Sequence, residues 1–213
     1  MILAAGRGER LRPMTDTTPK PLLKIRGEPL IERHVTGLAS AGIERIVINL
    51  AWLGSQIREY LGDGARYGVR IIYSEEQPRA LETAGGIFRA MPHLAPGPFA
   101  VVNGDIYTDF PLATLELAPN RDAHLVLVPN PVQHPLGDFG LNQGLALTEA
   151  ASRYTFSGIA VYRSGFFAGC TDGAYPLKPL LLRSMAQKRC SAELYAGLWE
   201  DVGTPERLQA LNA

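Results

Sequence analysis

Short runs of consecutive apolar residues alternate along this chain with stretches where apolar positions return every three or four residues. Ile2-Leu3, Arg45-Ile-Val-Ile-Asn49, Val69-Arg-Ile-Ile-Tyr73, Phe99-Ala-Val-Val102, His124-Leu-Val-Leu-Val128 and Phe156 to Tyr162 read as strands. Most are too apolar to have a wet face, so they predict strands covered on both sides. Helical spacing appears from Pro29 to Ala41 (Leu30, His34, Leu38, Ala41, stopped by Gly42) and from Trp52 to Leu61, closed by Gly62-Asp63-Gly64. It returns over Thr83 to Met91, Pro179 to Arg189 and Pro205 to Leu211. Strands separated by helices need crossover connections, hence an α/β fold with a mainly parallel sheet between helical layers. In such sheets ligands bind beyond the carboxyl ends of the strands. The stretch from Pro129 to Tyr154 breaks the rhythm with three prolines and three glycines. It reads as an insertion on the substrate side carrying a small hairpin.

Composition narrows the class. The 213 residues fit one large domain or two small ones. Lys plus Arg equals Asp plus Glu at 21 each, which argues against a broad grip on nucleic acid or an anionic membrane. There is no apolar run of membrane-spanning length and no secretory signal pattern. Two cysteines, Cys170 and Cys190, give no disulfide framework, and the four histidines lack paired ligand spacing. The expectation is a reduced, cytoplasmic protein that holds any phosphate with a few placed residues.

The richest string is Leu3-Ala-Ala-Gly-Arg-Gly-Glu-Arg-Leu-Arg-Pro13, continuing to Thr18-Pro-Lys-Pro21. Small residues directly after a strand let backbone N–H groups approach a phosphate. Leu11 stands where the dinucleotide fingerprint needs its third glycine, and no Walker A lysine follows. Arg10 and Lys20 add charge to the loop, Lys20 stiffened between two prolines. Val101-Val-Asn-Gly-Asp105 ends a buried strand in a carboxylate. In Trp199-Glu-Asp-Val-Gly-Thr-Pro205, Thr204 and Pro205 read as a helix cap and first turn. That leaves Asp201 either as a partner of this turn or, with Asp105, as a ligand of Mg²⁺, which commonly takes one or two carboxylates. Asp138 lies in the insertion without an evident structural task, and reads as a sugar ligand or a turn residue. Lys178 opens a late helix, as a surface charge or a phosphate contact.

Together these strings resemble the sugar-nucleotidyltransferase family, and the resemblance spans nearly the whole chain. Leu3 to Pro21 is similar to the family's nucleotide loop, Leu81-Glu-Thr-Ala-Gly-Gly86 to its base and ribose segment, and Asn103-Gly-Asp105 with Trp199 to Pro205 to its metal-binding stretches. Asn49-Leu-Ala-Trp-Leu-Gly54, Leu61-Gly-Asp-Gly64, Gly137-Asp-Phe139 and Phe156-Ser-Gly-Ile159 resemble the branch acting in bacterial cell-wall recycling. The resemblance implies a Rossmann-like three-layer sandwich with a mainly parallel mixed sheet, formed by one domain over 1–213. Its nucleotide part would span about 1–128 and 199–213, and its sugar-binding insertion about 129–198. It implies UTP and N-acetylmuramic acid α-1-phosphate as substrates, with thymidylyl or guanylyl transfer to glucose or mannose 1-phosphate as the alternative. A nucleotide-sugar sensor without turnover is the rival of another class.

Carried over residue by residue, Arg10, Lys20 and Asp105 are implied as catalytic. Leu3, Ala5, Gly6, Gly8, Glu9, Arg10, Lys20, Gly85 and Asn103 would bind nucleotide, while Asp138, Glu149 and Ser157 would bind the sugar phosphate. Asp105 and Asp201 would hold Mg²⁺. One departure stands out: many relatives carry Glu-Lys-Pro where this chain has Thr148-Glu149-Ala150-Ala151, so the sugar-phosphate lysine is missing. No repeat tail of the kind that builds trimers follows, which leaves a monomer or dimer.

Overall fold

The alternating pattern works out as a central sheet with helices on both faces. The structure, a computed structural model, describes residues 1–76 and 81–213. In chain order the elements are β1 (Ile2–Leu3), α1 (Met14–Thr17), β2 (Lys24–Ile25), β3 (Glu28–Pro29), α2 (Leu30–Ser40), β4 (Arg45–Leu50), α3 (Gly54–Leu61), β5 (Arg70–Glu75) and α4 (Glu82–Ala90). There follow β6 (Phe99–Asn103), β7 (Ile106–Thr108), β8 (Ala123–Val128), β9 (Gly140–Asn142), β10 (Leu145–Leu147), β11 (Thr155–Tyr162), α5 (Leu177–Ala186), β12 (Cys190–Leu194), β13 (Trp199–Asp201) and α6 (Pro205–Asn212).

Nine strands form one mixed sheet in the order β5-β4-β1-β6-β11-β8-β12-β10-β9. Among the described residues only β11 and β10 run against the rest, so the sheet is mainly parallel, as the helix-linked strands required. The expected hairpin in the insertion is β9–β10. It extends the same sheet, through β12, that the nucleotide loop opens.

Strand alternation sorts the core. Val47, Val101, Leu125 and Leu127 pack with α4 and α5 on one face. Ile46, Ile48, Val102 and Val126 pack with α2 and α3 on the other. Each of these side chains is at most 3% exposed, and burying one contributes roughly 1.5–3 kcal/mol over leaving it in water.

Among the described residues five strands have no counterpart in the apolar pattern: β2, β3, β7, β12 and β13. The late helix expected to reach Arg189 stops at Ala186, and Lys188 takes a left-handed turn (φ 55°). Arg189 then meets Asp122 at 2.5 Å, and Cys190–Leu194 pairs in parallel with β8. Among the described residues the strands β7 and β13 pair only with each other, Asp201 standing opposite Ile106.

His34 occupies the buried face of α2 at 3% exposure. Desolvation pushes its imidazole down to about 4, against the opposing pull of the Asp105 charge and a backbone hydrogen bond at Ile106. The unfolded imidazole protonates near pH 6.5 and the folded one only near 4. The unfolded state therefore binds more protons in that window, and the contribution to stability is lost as pH falls from about 6.5 toward 4. Urea denaturation at pH 7 and pH 5 should show a His34→Gln variant losing less stability on acidification than the parent, by about 2 kcal/mol. An equal loss in both would remove His34 as the cause.

Candidate active site

The carboxyl ends of three adjacent strands set the floor of the site. Register aligns Asn49 of β4, Leu3 of β1 and Asn103 of β6 in one row. Past that row β1 gives way to the small-residue loop, and β6 turns through Gly104 to Asp105. The Gly104 N–H donates to the Leu3 carbonyl at 2.8 Å. A Cβ at 104 would stand 2.7 Å from that carbonyl oxygen, so only glycine lets the two strand ends close.

The loop returns to this edge with its lysine. Gly8 sits in the left-handed region at φ 70°, and a Cβ there would come within 3.2 Å of the Lys20 Cβ. Pro19, Lys20 and Pro21 form a short turn, the Leu23 N–H donating to the Lys20 carbonyl at 3.1 Å. Lys20 is 7% exposed. Its Nζ donates to Asp105 Oδ2 at 2.5 Å and lies 4.0 Å from Asp201 Oδ1. The two aspartates thus face each other across one ammonium, although 96 residues separate them in sequence. Their backbones are fixed by the same ladder, the Val202 N–H donating to the Asp105 carbonyl at 3.0 Å.

Asp201 also serves the turn that follows it. Its Oδ2 accepts from Arg207 Nη1 at 2.7 Å, and its carbonyl accepts from the same nitrogen at 2.8 Å. Thr204 caps α6 as its position suggested. A Cβ on Gly203 would lie 2.9 Å from Asp201 Oδ2, 2.9 Å from Arg10 Nη2 and 2.7 Å from Arg207 Nη2. Arg10, exposed on the loop, therefore shares one corner with Asp201 and Arg207. Partial burial, with the Asp201 charge adding to it against the pull of Arg207, holds the neighbouring Glu200 carboxyl above its usual range.

A buried hydrogen-bond chain braces the other side. Asn49 Oδ1 accepts from the Ala4 N–H at 2.7 Å, Asn49 Nδ2 donates to Glu76 Oε1 at 2.6 Å, and Glu76 Oε2 accepts from the Leu81 N–H at 3.1 Å. This links the start of the loop to the start of α4. Gly86 makes room for it, since a Cβ there would stand 2.2 Å from Glu76 Oε1. Asn49→Ala leaves a buried N–H and a buried carboxylate short of a partner, at a cost of about 3 kcal/mol. Thermal unfolding should register this as a clear drop in Tm; an unchanged Tm would mean that water replaces the amide at no cost.

Three cavities converge on Asn103. One, of about 250 Å³, is lined by Leu3, Ala5, Gly6, Lys20, Asp105 and the Asn49–Glu76 pair. A second, about 470 Å³, runs between β6, β11, α4 and α5, with Asp138, Phe139, Phe156, Gly158 and Lys178 on its wall. The third, about 230 Å³, lies by Asp105, Asp201, His134 and Trp199. Leu3, Glu82, Thr83 and Asn103 belong to both of the first two. A bulge in β11 shapes the meeting point, the pairing skipping between Phe156 and Ile159. Gly158 there has φ 83°, and a Cβ would stand 2.5 Å from Asn103 Nδ2.

The structure thus brings together Leu3, Ala5, Gly6, Gly8, Arg10, Lys20, Asn103, Asp105 and Asp201, with Asp138 on the adjoining wall. Asp138 has the structural task its sequence context did not reveal: Oδ2 accepts from the Phe156 N–H at 2.9 Å, and Oδ1 lies 3.2 Å from His134 Nε2. Other expected residues are placed elsewhere. Glu9 points outward to Arg7 and Arg12. Gly85 packs against the chain, where a Cβ would meet the Gly173 carbonyl at 2.2 Å. Glu149 is exposed in the bend after β10. The Ser157 hydroxyl is buried in the bulge, donating to the Val126 carbonyl at 2.7 Å and accepting from the Ile159 N–H at 3.1 Å.

Residues 1–143 match the family described as nucleotidyl transferase. The chain belongs to this family. Among relatives, it is 49% identical to the N-acetylmuramate alpha-1-phosphate uridylyltransferase of Neisseria meningitidis, covering 100% of this chain and 96% of that one. It is 32% identical to the enzyme of the same name from Caulobacter vibrioides, over 100% and 95%. Among solved structures, a Bacillus anthracis protein described as a glucose-1-phosphate thymidylyltransferase, in complex with sucrose, superimposes with TM-score 0.85 at 23% identity. That superposition covers 99% of this chain and 92% of the other, and it establishes the shared fold. As a sugar nucleotidyltransferase the chain is an enzyme.

Proposed function

We propose that this nucleotidyltransferase joins UTP and N-acetylmuramic acid α-1-phosphate to give UDP-N-acetylmuramic acid and pyrophosphate, in the cytoplasm, as a step in reusing cell-wall sugar. The observation that carries the reading is the 49% identity over the full chain to a relative named for that reaction. No helix among the described residues is long and apolar enough to cross a membrane.

The 250 Å³ cavity suits the nucleotide, because its wall is the small-residue loop with Lys20. The 470 Å³ cavity suits the sugar, because its polar groups are spread over an apolar wall. Their shared rim at Asn103 is where the two phosphates would meet. A phosphate oxygen of the sugar 1-phosphate attacks the α-phosphorus, and pyrophosphate leaves on the opposite side. The attacking oxygen is already anionic near neutral pH, so no side chain need remove a proton. Lys20 places its ammonium at the α-phosphate, where negative charge grows, and Arg10 holds the departing pyrophosphate. Backbone N–H groups from Ala5 to Gly8 orient the triphosphate. Fixed donors in a partly dry site stabilise such charge without reorganising.

The donor set fits a hard divalent cation such as Mg²⁺. Asp105 and Asp201 offer carboxylate oxygens to one point, and no group of three metal-binding side chains forms among the described residues. Magnesium takes one or two carboxylates and completes its shell with water and phosphate oxygens. Held by these two residues, it would supply charge neutralisation to the reacting phosphates.

A panel of UTP, dTTP and GTP against N-acetylmuramic acid, N-acetylglucosamine, glucose and mannose 1-phosphates, followed by pyrophosphate release, tests the reading. The first pair should turn over fastest. A different best pair would reassign the substrates, and binding without release in any pair would make the protein a sensor.

A further inference from the structure

We propose that Lys178 is the specificity-determining residue of the sugar cavity, its ammonium pairing with a carboxylate carried on the sugar itself. This rests on the reading above, in which the acceptor is a muramic acid derivative, an amino sugar bearing a lactyl ether and hence a second anion besides its phosphate.

Cavity partition carries the argument. Lys20, Asp105 and Asp201 line the cavities where the phosphates react, and none of them lines the 470 Å³ cavity. Lys178 lines that cavity and neither of the others. Among the described residues it is the sole Lys or Arg on the wall, and it forms no ion pair there. A neutral sugar needs acceptors and donors for its hydroxyls, which Asp138, Glu82, Thr83 and Asn103 provide. Lys178 is exposed on this wall, apart from the reacting phosphates, where its ammonium is placed to meet a second negative charge carried by the sugar.

The placement of Lys178 on its helix agrees. It is the second residue of α5, which starts after Pro176 with no side-chain cap and no acidic residue in its first turn. A cation there opposes the helix dipole, while a bound carboxylate would satisfy both the ammonium and the unpaired first-turn N–H groups. The acidic groups elsewhere on the wall sharpen the orientation. Glu82 at the shared rim and Asp138 beside Phe156 repel a carboxylate, so the anionic substituent is driven to the α5 end. The phosphate then faces Lys20.

The test compares two acceptors with UTP, N-acetylmuramic acid 1-phosphate and N-acetylglucosamine 1-phosphate, which lacks the lactyl group. The parent should prefer the first. Lys178→Met should lower kcat/KM for the muramic acceptor by about 10- to 100-fold, the range for a hydrogen bond to a charged group, mainly through KM for the sugar. It should affect KM for UTP and turnover of the glucosamine acceptor far less, and Lys178→Arg should restore part of the preference. Equal losses with both acceptors would move Lys178 to the phosphate or to the fold and overturn the proposal, as would a preference that survives Lys178→Met. A parent enzyme that ignores the muramic acceptor would instead refute the substrate reading, which the parent measurement reveals before any variant is made.

Discussion

Lys20→Ala is expected to lower kcat by about 30- to 1000-fold, the effect of removing one donor that stabilises transition-state charge, roughly 2–4 kcal/mol. The ammonium is nearly buried, lies within reach of both aspartates and is aimed by two flanking prolines, whereas Arg207 is engaged with Asp201 alone of the two. Loss of Lys20 also removes the charge that neutralises Asp105 and Asp201. The variant should therefore need no more divalent ion than the parent for the activity that remains. Turnover near the parent's at saturating substrate would contradict a role in the reaction. A greatly raised metal requirement would place Lys20 among the groups that assemble the metal site.

Asp105→Asn and Asp201→Asn should show the opposite signature: most turnover lost, and a far higher Mg²⁺ concentration needed for the remainder. Two carboxylates facing across a short gap repel unless a cation sits between them. In the ligand-free protein Lys20 and Arg207 supply that charge. An amide at either position weakens the hold on a divalent ion while keeping the side-chain shape. The two variants should still differ in one respect. Asp201→Asn loosens the Arg207 contact and should lower Tm without ligand slightly, by the small amount usual for a partly exposed ion pair. Asp105→Asn takes the nearest charge partner from the nearly buried Lys20 ammonium and should lower it further. An Asp201→Asn enzyme with an unaltered Mg²⁺ requirement would reduce Asp201 to a partner of Arg207 and of the turn at Gly203.

Much of this site could be read from residue types at strand ends. Asp105 stood out because a carboxylate after Val101 and Val102 must emerge at the ligand edge, and Lys20 because its prolines stiffen it. The same rule applies to Asn49 after Ile46-Val-Ile48 and to Glu76 after β5. Each closes an apolar strand with a polar group, yet their pairing across 27 residues is visible only once β4 and β5 lie side by side. β12, Cys190-Ser-Ala-Glu-Leu194, was hidden because it is poor in β-branched residues and follows a helix without a break in composition. β7 and β13 are three residues each and hold together through a partner remote in sequence, which no local pattern encodes. The tasks of Ser157 and Asp138 escaped for a related reason. A bulge forms where two strands fall out of register, and the hydrogen bonds it consumes depend on the partner strand.

The β7–β13 ribbon makes the two aspartates neighbours, and it fastens residues 199–213 beside the sheet together with the packing of Leu208 and Leu211 on Ile25 and the bonds of Asn212 to Lys24 and Arg26. Two-stranded ribbons open locally at far lower free energy than the strands of a large sheet. A ligand that engages both carboxylates binds the closed ribbon, so it favours that state increasingly as its concentration rises above its Kd. Occupancy of the site and closure of the ribbon are thereby coupled through a three-residue strand.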